Sequence, residues 1–276
     1  KETRCRRPAE ESLNGRRVRA CTRLAAAAWL VPAIAAAEPA TVAGDDGARM
    51  QRLSPQAYVI LHDDATDEWP HGNTGVIVGT TGVLVIDSCY LPSRAKADIA
   101  LIRRVTDKPV RFLLTTHWHF DHNNGAVAYR DAFPGVTLIA ERDTARWIEL
   151  NQHHWKALST AEGSPRLEAV ARLEAELAKG AGEDGKPFDA AERERRARAI
   201  AVRKAETAEL EALTVVVPTQ LFDGKLSLDF EGTPIEIENR GPANSPADTT
   251  VWLPRERILF GGDILVKSPL PYVAAS

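Results

Sequence analysis

Four side chains able to hold a metal fall within six residues: His117, His119, Asp121 and His122, in the stretch Thr115-Thr-His-Trp-His-Phe-Asp-His122. They follow a strand-like run, Val110 to Leu114. Two residues apart at a strand end, His117 and His119 point to the same side, while Asp121 and His122 come where the chain must turn. The two imidazoles can hold one metal, and the carboxylate with the third imidazole can hold another beside it. Neutral imidazole and carboxylate suit zinc, and by ligand type they also suit iron or manganese. A divalent metal at His117 and His119 lowers the pKa of a bound water toward ~7 and polarises a carbonyl or phosphoryl oxygen. That is the chemistry of hydrolysis without a covalent enzyme intermediate.

His-x-His-x-Asp-His behind an apolar strand resembles the signature of the metallo-β-lactamase-fold hydrolases, and the likeness runs over residues 52–273. The resemblance implies an α+β fold, an αββα sandwich of two mixed β-sheets flanked by helices, with metals at one sheet edge. It implies one or two zinc ions, with iron or manganese open. Asp121 and His122 then bind the second metal, and Asp121 also orients the nucleophile. Asp263, in Phe260-Gly-Gly-Asp263, matches the carboxylate that bridges or completes that site. Asp87 matches an acidic residue that supports the ligands from behind, with a plain turn carboxylate as the alternative.

Two positions depart from the family pattern. Its next ligand is a histidine in a Gly-x-Ala-His-Thr type of loop, and Gly241-Pro-Ala-Asn-Ser-Pro-Ala-Asp248 puts Asn244 there. An amide oxygen is a poorer zinc donor than imidazole. The family's late histidine has no counterpart, because no histidine follows His154. The expectation is a truncated C-terminus, in a fragment or a degenerate member.

Around the motif, the elements that must position it can be read from pattern. Ala57 to Leu61 and Thr74 to Val78 are strand-like, and Thr80-Thr-Gly82 joins the latter to Val83 to Ile86 as a hairpin. Ser93 to Val105 has helical spacing, and Pro109 opens the ligand strand. Ala126 to Phe133 reads as a helix stopped by Pro134-Gly135, with a strand at Val136 to Ile139. A second hairpin, Thr249 to Leu253 and Arg257 to Phe260, echoes the first and also ends beside a carboxylate. Between the halves, residues 151–213 turn to Ala, Glu, Arg and Lys, which is helical composition. A helical hairpin inserted into the fold is expected there. Its stripes are Leu167, Val170, Leu173 and Leu177, and then Ala197, Ile200 and Ala201. His153-His-Trp155 reads as solvated or packed.

Residues 1–37 carry eight Lys/Arg against three Glu, then an apolar run to Ala37. That pattern reads as a secretory leader cleaved near Ala37, and residues 38–276 form the metallo-β-lactamase-like domain. The apolar run is short of a ~20-residue span and is interrupted by Pro32, so no stable membrane anchor is expected after cleavage. The remainder holds 27 basic and 35 acidic residues, a balance that argues against nucleic-acid binding. Cys89 alone remains after the leader, so no internal disulfide forms, and a packing role is expected for it. The reading is a periplasmic or secreted zinc-dependent hydrolase of a small-molecule lactam, lactone, ester or thioester. An iron-dependent dioxygenase on the same scaffold and a non-catalytic binding member are the alternatives.

Overall fold

Val83–Ile86 is four apolar residues in a row, all buried, as a strand covered on both faces must be. The computed structural model describes residues 41–44, 47–63 and 71–266. The expected leader, residues 1–37, lies outside them. Eight strands lie side by side in chain order: β1 (Thr41–Ala43), β2 (Arg49–Arg52), β3 (Ala57–Leu61), β4 (Thr74–Val78), β5 (Val83–Ile86), β6 (Val110–Thr115), β7 (Thr137–Glu141) and β8 (Gln220–Phe222). Up to β5 the neighbours are antiparallel, and from β5 to β8 they are parallel. Parallel neighbours need crossovers. These are α1 (Pro92–Val105), then α2 (Phe120–Asn123) with α3 (Ala126–Ala132), then α4 (Arg142–Thr160), α5 (Pro165–Lys179) and α6 (Ala190–Ala212). The expected strand, helix, strand order before the motif is therefore present, as is the β4–β5 hairpin with Val78 paired to Val83.

A smaller sheet holds β9 (Lys225–Phe230), β10 (Thr233–Asn239), β11 (Thr249–Leu253) and β12 (Ile258–Phe260), in the order β12-β11-β10-β9. Of the two sheets that the resemblance implies, only the larger is mixed. All neighbours in the smaller one are antiparallel. The cause is local: Glu231 and Gly232 both take positive φ, the two-residue turn that joins antiparallel strands.

Side-chain alternation decides what each face meets. Val76, Val83, Val85 and Leu113 point toward α1 and α3, packing on Ile99, Ile102 and Tyr129. Their neighbours Ile77, Leu84, Ile86 and Leu114 point the other way, onto Phe230, Ile235, Ile237, Val251 and Leu253 of the smaller sheet. Lys225, Ser227, Asp229 and Glu236 occupy the smaller sheet's outer face and are exposed. Glu231 ties the sheets together at one end, accepting from Thr81 N (2.6 Å) and Thr80 Oγ1 (2.8 Å).

The insertion corrects the expected helical hairpin, because three helices are present and the first starts at Arg142. Its start is hidden in the sequence: Glu141, still in β7, turns back to accept from Asp143 N at 2.6 Å, so helix follows strand without a linker. Ser164 caps α5 by accepting from Leu167 N, and Gly180 ends it in left-handed backbone. Asp189 caps α6. Of the expected α6 stripe only Ile200 is buried, while Ala197 and Ala201 are exposed. The inward face runs instead through Ile200, Glu206, Thr207 and Leu210, with Arg196 reaching Glu176 on α5. His153 and His154 on α4 are exposed, matching the solvated reading.

Candidate metal centre

The motif sits where β6 gives way to α2. Thr116, the first residue past β6, donates its N–H to Asp87 Oδ1 and its hydroxyl to Asp87 Oδ2, both at 2.8 Å. Asp87 closes β5 in left-handed backbone, φ 62, a conformation that Asp tolerates better than most residues. Asn123 Nδ2 donates to the carbonyls of Trp118 and His119, which holds the turn between strand and helix. Asp121 and His122 thereby fall on the single turn of α2, and both are buried.

Their side chains converge. His117 Nε2 lies 3.1 Å from His119 Nδ1. His122 Nε2 lies 3.3 Å from Asp121 Oδ2 and 3.2 Å from Asp263 Oδ1, while Asp263 Oδ2 lies 3.7 Å from His117 Nε2. The two carboxylate oxygens of Asp263 thus face two different groups, His117 with His119 and Asp121 with His122, and in each group the donor atoms lie within 4.8 Å of one another. Asp263 reaches this point on the turn after β12. Gly262 permits it, because a Cβ there would stand 2.9 Å from Thr116 Oγ1 and the residue takes φ 50.

Asn244 enters the first group. Its Nδ2 is 3.1 Å from His119 Nδ1, 3.4 Å from His117 Nε2 and 3.0 Å from Asp263 Oδ2. Its Oδ1 is buried without a hydrogen-bond partner. A half-turn of the amide exchanges the two atoms and aims that orphaned oxygen at the centre, a donor type that divalent cations accept. The loop is built to present it: Asp248 Oδ2 accepts from Ser245 N (2.7 Å) and Ala243 N (3.2 Å), and Thr249 N donates to Thr116 O (3.0 Å). Sequence reasoning missed Asp248 and Thr116. The only signal for either was its place beside a ligand position.

Electrostatics divide the imidazoles. Burial, helped by His122, holds His117 well below the ordinary histidine value, and burial lowers His119 too. Both therefore offer lone pairs at neutral pH. Burial also disfavours the charged form of His122, but Asp121 and Asp87 outweigh it and push the ring well above its usual value. For Asp263, burial opposes ionisation, yet the hydrogen bond from His122 and the nearby His117 and His119 hold the carboxyl far below the usual range. Asp87 sets the tautomers. It accepts from His122 Nδ1 at 2.8 Å, and Thr116 Oγ1, which donates to it, lies 3.1 Å from His117 Nδ1 as that ring's acceptor. His117 then turns an unprotonated Nε2 toward the centre, while His122, fixed at Nδ1 by Asp87, aims there an Nε2 whose proton Asp121 and Asp263 hold and a bound cation would replace; such supporting hydrogen bonds stand behind metal-binding histidines. Of the two readings for Asp87, the supporting role matches these contacts. A group of imidazole, carboxylate and amide donors sharing one bridging carboxylate fits one or two divalent cations.

Comparison with known proteins agrees with this architecture. A curated relative, the linear primary-alkylsulfatase of Pseudomonas sp. (strain ATCC 19151), is 20% identical over 198 residues, covering 72% of this chain but 34% of that protein's length. Among solved structures, a metallo-beta-lactamase from Pontibacter korlensis matches with a TM-score of 0.50 at 15% identity, covering 78% of this chain and 70% of its own. A double mutant of the sec-alkyl sulfatase PisA1 matches with a TM-score of 0.49 at 17% identity, over 77% of this chain and 30% of its own. Residues 67–275 match the family model of the metallo-beta-lactamase superfamily, and the chain therefore belongs to that superfamily.

Proposed function

We propose that the chain is the core of an exported, zinc-dependent hydrolase that cleaves a carbonyl-type bond, in a lactam, lactone, ester or thioester, of a small molecule. What carries the reading is the convergence of His117, His119, Asp121, His122 and Asp263 with an amide at the remaining donor position. In this reading His117, His119 and Asn244 would hold one cation and Asp121 and His122 another, with Asp263 available to both. When bound there, zinc lowers the pKa of a water toward about 7 and polarises the bond to be cleaved. Asp121 orients the attacking water and receives its proton. Asp87 keeps His122 and, through Thr116, His117 in their donor tautomers. Trp118 packs edge-on against His119, with ring centroids 4.6 Å apart, and so limits the positions that ring can take.

A second reading, sulfate-ester cleavage, draws on the likeness to the primary-alkylsulfatase. Because the chain spans about a third of that relative, its substrate does not carry over directly. Elemental analysis of the purified protein, together with hydrolysis of carbonyl esters, lactams and alkyl sulfates, tests both. Zinc should be present, His117→Ala should remove most of it, and hydrolysis should fall with it. Iron with oxygen uptake would replace the reading by a dioxygenase, and unchanged metal in the variant would overturn the site. Export rests on the basic and apolar leader pattern and predicts a periplasmic product beginning near Glu38.

A further inference from the structure

A second cluster of ligand-type side chains lies apart from the His117 centre and shares no residue with it. Cys89, two residues past Asp87, is fully buried and held in left-handed backbone, φ 67. Around its sulfur converge His62 Nε2, just past β3, at 3.3 Å, Asp98 Oδ2, on the inward face of α1, at 3.0 Å, and Thr74 Oγ1, at the start of β4, at 3.3 Å. Thr74 also donates to Asp98 Oδ2 at 2.7 Å. The side chains of His62 and Asp98 are 3% and 0% exposed, so solvent contributes almost nothing to satisfying them.

Hydrogen bonds alone serve this cluster poorly. His62 Nε2 stands 3.1 Å from Asp98 Oδ1 and 3.3 Å from both Asp98 Oδ2 and Cys89 Sγ, and one ring N–H cannot serve all three. Asp98 Oδ1 accepts no hydrogen bond among the described residues. A left-handed non-glycine residue is strained and persists only where its surroundings over-determine it. The arrangement matches what a cation asks for. Thiolate, imidazole and carboxylate bind zinc at about 2.0–2.3 Å, which puts donors around a tetrahedral ion roughly 3.3–3.6 Å apart. The observed separations need to open by only a few tenths of an ångström. Charge also balances: one thiolate and one carboxylate cancel the two positive charges, and the imidazole stays neutral, so the filled cluster buries no net charge. In the absence of a cation, burial and the adjacent Asp98 push the Cys89 thiol well up, which keeps its proton on.

We propose that His62, Cys89 and Asp98, with Thr74 as the adjacent oxygen, form a second and structural zinc site. It clamps the end of β3 and the loop after β5 onto α1. That loop carries Asp87, and its Ser88 N donates to His122 O at 2.9 Å, so the clamp also steadies the wall of the catalytic centre.

Cobalt(II) substitution separates the two sites, because a sulfur-to-cobalt charge-transfer band requires a thiolate and the His117 centre has none. The full chain with Cys5→Ser and Cys21→Ser, loaded with cobalt, should show the band. His117→Ala should keep it, whereas Cys89→Ser and His62→Gln should lose it while retaining the parent's far-ultraviolet dichroism. Absence of the band in the folded parent at saturating cobalt overturns the proposal. So does full metal content in both Cys89→Ser and His62→Gln. If those variants do not fold, alkylation of the parent decides. Cys89 should become reactive at least tenfold faster once a chelator strips the metal, and a rate indifferent to the chelator overturns the clamp.

Discussion

Asp87→Asn separates the geometry of the centre from its protonation. The side chain is nearly isosteric, and Asn tolerates the left-handed backbone at this position as well as Asp does. If its Oδ1 stays on Thr116 N, its Nδ2 replaces the oxygen that accepts from both His122 Nδ1 and Thr116 Oγ1. An amide nitrogen cannot accept. His122 then loses the acceptor for its Nδ1 proton and keeps its remaining proton on Nε2, aimed at Asp121 and Asp263, the side a cation would have to occupy. His117 is affected one step later, because the Thr116 hydroxyl that orients it loses its own acceptor. Loss of such a supporting partner lowers metal affinity or activity by about 10–100-fold, equivalent to roughly 1.4–2.7 kcal/mol. The metal-free protein should also lose a buried hydrogen bond to a charged acceptor, worth about 1.5–3 kcal/mol. At 2–4 °C per kcal/mol for a domain of this size, its Tm should fall by roughly 3–12 °C. Zinc competition with a chromogenic chelator measures the first effect, and thermal unfolding of the metal-free protein measures the second. A variant that melts lower yet binds zinc as tightly as the parent would refute the tautomer argument and leave Asp87 as scaffold alone.

Asn244→His should tighten zinc binding at least tenfold, since it puts imidazole where an amide now meets His117 and His119; equal affinity would remove Asn244 from the centre. Gly125→Ala should destabilise by about 3 kcal/mol or more, because its Cβ would fall 1.7 Å from the Ser88 carbonyl oxygen and 2.6 Å from Ala95 Cβ. Denaturant unfolding checks this, and a change under about 1 kcal/mol would mean that the loop has room to move. Glu231, pulled down to about 2 chiefly by its hydrogen bonds from Thr81, has a folded pKa below its unfolded one. Its contribution is therefore complete above an unfolded value of about 4.3 and is lost as pH falls from there toward about 2. Glu231→Gln should flatten the acid dependence of the unfolding midpoint in that window, and a parallel, merely displaced curve would contradict the assignment.

Much of the fold is written in short-range pattern. Alternating or continuous apolar residues mark β3 to β7, and Pro109 and Pro134 punctuate them as expected. Weaker strands carry no such pattern. β2 offers only Met50 as a buried residue, and β8 is three residues long, so each takes its strand identity from the neighbour it pairs with. In β9 the alternation of Leu226, Leu228 and Phe230 with Lys225, Ser227 and Asp229 is present in the sequence, though it is short and follows the strongly helical insertion. The start of α4 carries no boundary signal in the sequence, because Glu141 serves the strand and the helix at once.

The centre divides along the same line. His117, His119, Asp121 and His122 are legible because one strand end and one helical turn place all four, and such geometry depends on residues a few positions apart. That Asn244 and Asp263 meet them is a property of two sheets packing face to face, since each residue lies more than a hundred positions from the motif. Resemblance named those two positions, but only the packing puts the Asn244 amide against two imidazoles and aims the Asp263 oxygens in different directions. His62, Cys89 and Asp98 carry no common motif at all. Their meeting was decided by the register of β3 on β4 and by the face that α1 turns inward, long-range pairings that no local spacing encodes.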